Sequence, residues 1–369
     1  MKPAHIIKAI EEFAPRVLQE KWDNTGMQIG FPPEADCTGV LLCVDVTEDI
    51  IAEAVTSGCN LVLSHHPLIF KGIRSLTGST VPERAAIAAI RSGVAVYSCH
   101  TALDSTHNGI SYAMARMLGA EVRSILEPSE ARMAQITVIC PRDISGDVRL
   151  ALLDGSSSLP APFSPAASLT SSDTEEYSLG KFSEETLSFS ISHTPLTRVC
   201  ITVPQPSVNA CLAILDGMQG EIRYTVTPLD TPISGTGLGV VAEFPENITA
   251  ATLIEKIKKC FGTRCVRANQ AFASAAACPE TAIRRIALCG GSGGEFIPQA
   301  LRAGAQVYIT ADVRYHDFAD HREDIGILDI GHFESEACAK DIFYHLLTKK
   351  FPNFAVRYSK SENNPVHYL

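Results

Sequence analysis

The stretch Leu61-Val62-Leu63-Ser64-His65-His66-Pro67 decides how this chain is read. An unbroken apolar run of this kind marks a strand buried on both faces, as in a parallel sheet. Two imidazoles then leave it side by side. Successive side chains of extended backbone point to opposite sides, so neighbouring histidines rarely chelate one ion symmetrically. They can reach two ions, or one ion and the groups around it. A pair of plain core or surface histidines is the alternative, disfavoured at a strand's end before Pro67. Read with the rest of the chain, the pair points to a dinuclear metal site.

Around this stretch the first third alternates strand and helix signals. Gly39 to Val46 reads as a strand, Asp49 to Ser57 as a helix and Leu61 to Leu63 as a strand. Pro82 to Ser92 reads as a helix, Val94 to Ser98 as a strand and Gly109 to Leu118 as a helix. Such alternation predicts βαβ units and a largely parallel sheet. Ligands of these sheets collect outside the carboxyl ends of the strands. His65 and His66 follow one strand and Cys99 to Asp104 the next, so both segments are expected on one edge.

The last third repeats the grammar, with strands at Arg285 to Cys289, Gln306 to Thr310 and Ile325 to Ile330. Helices are expected over Phe296 to Arg302 and Glu334 to Lys349. Between the two α/β halves the pattern changes. Ile136 to Cys140 reads as a strand and Ile144 to Leu153 as a helix. Asp154 to Thr174, rich in Ser, Pro and Ala, reads as a loop. Thr186 to Ile191, Thr197 to Val203, Val208 to Asp216 and Ile222 to Pro228 read as strand, strand, helix and strand. The order β-α-β-β-α-β suits a ferredoxin-like unit. The expected fold class is therefore α/β, a duplicated α/β core over residues 1–127 and 233–369. A ferredoxin-like (α+β) inserted domain occupies 128–232.

Three further strand ends carry chemistry. In Cys99-His100-Thr101-Ala102-Leu103-Asp104, an imidazole and a carboxylate lie four residues apart; Asp104 suits a metal, a helix cap or an Asx-turn. In Gly331-His332-Phe333-Glu334-Ser335-Glu336, His332 and Glu336 stand at i and i+4 of an expected helix and can converge on a cation. Glu334 points elsewhere and suits the helix N-terminus. In Thr310-Ala311-Asp312-Val313-Arg314-Tyr315-His316-Asp317, Asp312 and His316 suit a ligand, a supporting or an acid/base role, and Arg314 an anion contact. Gly290-Gly291-Ser292-Gly293-Gly294 reads either as a phosphate-cradling loop or as a tight turn.

Six ordered motifs together resemble the NIF-three-like family, whose members are often labelled GTP cyclohydrolase 1 type 2 homologues. They are Trp22-Asp23-Asn24-Thr25-Gly26-Met27-Gln28-Ile29-Gly30, the Ser64 to Pro67 segment, His100 to Asp104, the glycine run, Thr310 to Asp317 and Gly331 to Glu336. The resemblance implies two divalent ions (Zn, Fe, Mn, Co or Ni) held by His65, His66, Asp104, His332 and Glu336, with Glu336 bridging. It implies that His100 and His316 line the site, and they are the acid/base candidates. It also implies a homohexamer, and a PII/CutA-like fold for the insert. Two departures stand out. Family members often have Thr-Gly-Asp where this chain has Thr310-Ala311-Asp312, and alanine disfavours a positive φ, so the backbone is expected to differ locally. The insert has Asp154-Gly155-Ser156-Ser157-Ser158 in place of a glycine-rich segment.

Composition narrows the function classes. With 369 residues, 46% hydrophobic and 20% charged, the chain has the make-up of a globular protein of two or three domains. Its formal charge of −10 argues against non-specific binding to nucleic acid or to anionic membranes. No apolar run approaches the roughly 18 residues of a membrane span. Met1 to Glu20 reads as an amphipathic helix, not a signal peptide, and a cytoplasmic location is expected. The twelve cysteines show no C-x-x-C pair and read as free thiols. The motifs at the strand ends suit metal-assisted hydrolysis, and the family resemblance implies a nucleotide or phosphate-containing small molecule as the substrate. The alternative is a metal-handling or regulatory assembly sensing a small molecule or partner through its insert.

Overall fold

The computed structural model describes residues 1–157, 170–173, 177–183, 188–278 and 280–369. The chain divides into two compact units, one of Met1–Ser129 with Gly235–Leu369 and the other of Glu130–Ser234. Strands of the first part are β1 (Gly26–Ile29), β2 (Val40–Cys43), β3 (Leu61–Ser64), β4 (Ala95–Ser98) and β5 (Glu121–Pro128). The middle contributes β6 (Arg132–Pro141), β7 (Thr170–Asp173), β8 (Tyr177–Ser183), β9 (Ser188–Thr194), β10 (Leu196–Pro204) and β11 (Arg223–Pro232). The last part adds β12 (Gly237–Ile248), β13 (Arg267–Ala268), β14 (Ile283–Ser292), β15 (Val307–Ala311), β16 (Gly326–Asp329) and β17 (Val356–Tyr358).

The larger unit holds two sheets, ordered β1-β4-β3-β2-β17 and β13-β16-β15-β14-β12-β5. Each contains three adjacent parallel strands, β2-β3-β4 and β14-β15-β16, as the duplicated α/β pattern predicts. The halves also exchange strands. β5 from the first half pairs with β12 in the second sheet, and β17 from the second half pairs with β2 in the first.

Burial follows the two-residue period of the strands. Leu61 and Leu63 enter a core shared by both sheets, together with Leu288, Ile309, Leu328 and Phe343. Val62 faces the other way, against Ile50, Ala54 and Ala85 of the helices Glu48–Thr56 and Val81–Ser92. In the second sheet Ala287, Tyr308 and Ile327 similarly face Ile297 and Ala300. Covering both faces is what makes these strands read as continuous apolar runs.

The smaller unit is a four-stranded antiparallel sheet, β11-β6-β10-β7, with the helices Ser145–Ser157 and Val208–Asp216 as crossovers. That is the strand order of a β-α-β-β-α-β unit, to which the hairpin β8–β9 is added. The helix runs on to Ser157, where a loop was expected from Asp154; Ser158, most of the Ser/Pro/Ala-rich stretch and the start of the strand expected at Thr186 lie outside the described residues.

Other differences have local causes. The expected helix Met1 to Glu20 spans only Pro3–Phe13, because Pro15 cannot continue an α-helical hydrogen-bond ladder. The expected helix Glu334 to Lys349 is two, His332–Glu336 and Ala339–Lys350. Ser335 Oγ accepts from Gly291 N and donates to His332 O, which ties the first turn to β14. Asp104 lies inside a short helix, Thr101–Ser105, instead of capping the next one. Ala311 stays in β15 and Asp312 takes the left-handed turn at φ 52°. Asp tolerates that region better than Ala, which removes the conflict expected at Thr310-Ala311-Asp312. Among the described residues, no helix is long and apolar enough to cross a membrane.

Candidate metal centre

The carboxyl ends of β3, β4 and β16 deliver the expected residues to one place. Past the end of β3, His65 N bonds to Cys43 O (3.1 Å) and His66 N to Val44 O (2.9 Å), so the parallel ladder continues and fixes both histidines. Ser64 Oγ binds the His66 carbonyl (2.8 Å) and Ser98 Oγ (2.7 Å). From β16 the chain turns at Gly331, φ 95°, into the short helix that carries His332 and Glu336 on one side.

Glu336 is the meeting point. Its Oε1 lies 3.6 Å from His65 Nε2, which is also 3.6 Å from Asp104 Oδ1. Its Oε2 lies 2.9 Å from His66 Nε2 and 3.0 Å from His332 Nε2. Among the described residues three groups of donor atoms converge: His65, Asp104 and Glu336; His66, His332 and Glu336; His65, His66 and His100. The two groups that contain Glu336 use different oxygens of one carboxylate.

Each imidazole is oriented through its other nitrogen. His65 Nδ1 donates to Cys99 O (3.1 Å), His66 Nδ1 to Asp45 (2.8 Å), His100 Nδ1 to Asp23 (2.8 Å) and His332 Nδ1 to Asp312 (2.7 Å). Partners of this kind hold the Nδ1 proton and turn Nε2 toward an ion. Asp23 also accepts from Thr101 N, Thr101 Oγ1 and Thr25 Oγ1. Burial opposes its ionisation, but His100, Thr101 and Thr25 hold its carboxyl well below the usual range.

The electrostatics fit a cation. His65 Nε2 and Asp104 Oδ1 are buried without a hydrogen-bond partner, a costly state that a bound ion would relieve. Burial, reinforced by Glu336, pushes Asp104 well above the ordinary carboxylate range, while burial lowers His65. Burial would also lower His66, yet Asp45 and Glu336 outweigh it and raise its pKa to about 10. His332 rises to about 9 against its burial, through Glu336 and Asp312. Protons thus gather where positive charge is needed. Imidazole and carboxylate donors suit Zn, Fe, Mn, Co or Ni.

Not every expected residue arrives. His316 is exposed on the helix Tyr315–Asp320, its ring against Tyr315, and belongs to none of the converging groups. Arg314 is exposed beside it, its backbone N–H donating to Asp317. Glu334, as expected, stands buried in the first turn of its helix and belongs to none of the converging groups. The glycine run has a steric purpose: Gly290 to Ser292 continue β14, and Gly291 has φ 64°. A Cβ there would lie 2.2 Å from Glu336 Oε1. Asp45 was invisible to motif reading. Its one signal is position, two residues past the end of β2, on the edge where ligands of parallel strands collect.

A family model described as Duf34/NIF3 (NGG1p interacting factor 3) matches residues 1–365. A Halalkalibacterium halodurans protein named GTP cyclohydrolase 1 type 2 homolog is 28% identical over 332 residues, covering 89% of this chain and 87% of that protein. The crystal structure of a Bacillus cereus protein related to NIF3 aligns over 100% of this chain and 99% of its own, with 25% identity and a TM-score of 0.83. A Staphylococcus aureus structure, 23% identical over 100% and 99%, has a TM-score of 0.75 and shares the fold.

Proposed function

The chain belongs to the DUF34/NIF3 family, and on that premise we propose that it is a metal-dependent hydrolase with two divalent ions per chain, acting on a nucleotide or phosphate-containing small molecule. The observation that carries the reading is the division of Glu336 between two donor groups, Oε1 toward His65 and Asp104, Oε2 toward His66 and His332. Divalent ions held there would supply Lewis acidity, polarising a carbonyl or phosphoryl oxygen and making water acidic enough to attack near neutral pH.

The chain's own residues supply the rest. His65, His66, Asp104, His332 and Glu336 hold the charge in place. Asp45, Asp312 and the Cys99 carbonyl fix the ring orientations. His100, bonded through Nδ1 to Asp23, has its ring centroid 5.3 and 5.4 Å from those of His65 and His66 and is the group that moves a proton. The name of the Halalkalibacterium relative makes a purine nucleotide the first substrate to try.

A screen of nucleotides and phosphate esters with metal-loaded protein tests the proposal. Turnover that disappears with bound metal in His66→Ala is the expected result. Unaltered hydrolysis by that variant without metal sinks the mechanism, and reversible metal transfer without turnover favours a metal-handling role.

A further inference from the structure

We propose that Trp22 and Phe70 form a stacking edge for a planar nitrogen heterocycle carried by the molecule that reaches this centre. This rests on the hydrolytic reading above and adds what the site recognises.

Trp22, the only tryptophan of the chain, is 59% exposed, and Phe70 is 48% exposed. Their centroids are 5.9 Å apart at 64°. Both also meet the His100 ring, at 5.9 Å and 71° for Trp22 and at 6.3 Å and 74° for Phe70. His100 in turn touches His65 and His66. A single imidazole therefore separates two exposed aromatic side chains from the metal donors. Edge-to-face contacts cover only part of each ring, and the exposed surface of Trp22 and Phe70 can take a third, planar ring.

The edge is built, not incidental. Asp23, next to Trp22, is anchored by His100, Thr101 and Thr25. Asn24 Nδ2 donates to Ile69 O (2.7 Å) and Ile69 N donates to Gln28 Oε1 (3.1 Å), so the loops bearing Trp22 and Phe70 are stitched together. The hydrogen bonds that orient His100 thus also hold the aromatic edge. A ring stacked there gains affinity without hydrogen-bond readout, and removing one aromatic partner is expected to weaken binding about tenfold.

Trp22 fluorescence of the metal-loaded full chain reads this directly. Guanosine, a ring without phosphate, is expected to quench it saturably, and ribose 5-phosphate, a phosphate without such a ring, to leave it unchanged. Phe70→Ala should weaken guanosine about tenfold with unchanged metal content, and calorimetry on Trp22→Ala should show the same loss. Equal responses to both probes, or none to guanosine, overturn the proposal. So does a Trp22→Ala variant that dissociates an oligomer while guanosine never binds, since a second copy of the chain would then cover the edge. Metal content on the same samples separates the two readings: guanosine binding without metal supports the edge and contradicts the hydrolase, and metal without guanosine binding does the reverse.

Discussion

Glu336 Oε2 lies 2.9 Å from His66 Nε2 although 270 residues separate them along the chain. The contact joins the carboxyl edge of one sheet to that of the other, so the centre exists only when both halves of the larger unit are folded. Glu336→Gln keeps the size of the side chain but removes its charge. Metal content measured by mass spectrometry should fall to one ion per chain or less, while the circular dichroism spectrum stays that of the parent.

The carboxylates behind the histidines should matter nearly as much. Asp45→Asn and Asp312→Asn each weaken the orientation of one ring nitrogen. Each should lower metal affinity by about 10- to 100-fold, the usual cost of losing such a partner. Competition with a chromogenic chelator gives the value; unchanged affinity in both would contradict the assignment of these pairs.

Gly291→Ala tests the close approach behind Glu336. The substitution meets both a positive φ and a carboxylate oxygen 2.2 Å from the new Cβ. A non-glycine residue held in such a region costs about 1–3 kcal/mol. Thermal melting should fall accordingly, with metal lost beyond what the lower stability explains. Gly294→Ala is the control, with φ outside the positive region and a new Cβ 3.0 Å from an Asp317 oxygen.

One acid-sensitive contact lies away from the donors. Glu53 accepts from Ser359 Oγ, Ser361 Oγ and N, and Lys360 N, fixing the segment that follows β17. Burial would raise its pKa, but these donors outweigh it and lower it from 4.5 to about 2. A carboxyl depressed on folding stabilises fully above its unfolded pKa and loses that contribution as pH falls toward its folded one. Stability should therefore decline between about pH 4.5 and pH 2, and Glu53→Gln should flatten that part of the melting profile while lowering stability at pH 7.

Much of this arrangement was legible in the sequence because buried parallel strands announce themselves. Leu61 to Leu63 and Gln306 to Thr310 are apolar without interruption, and their ends carry the polar residues. The i, i+4 spacing of His332 and Glu336 by itself puts both donors on one side of a helix. What escaped was set by tertiary context. β12, with Gly237 and Gly239 breaking its pattern, and the short β17 are strands because neighbours with open edges accept them. Asp45 orients His66 from a different strand end, so no spacing rule links the two. The glycine run left a phosphate loop and a tight turn both open, because sequence shows the missing Cβ but not the carboxylate that needs the room.

Anomalous diffraction from metal-loaded crystals tests the central claim most directly. Two peaks per chain are predicted, one among Glu336 Oε1, His65 Nε2 and Asp104 Oδ1, the other among Glu336 Oε2, His66 Nε2 and His332 Nε2. A single peak per chain, or peaks that leave Glu336 uncoordinated, would contradict it.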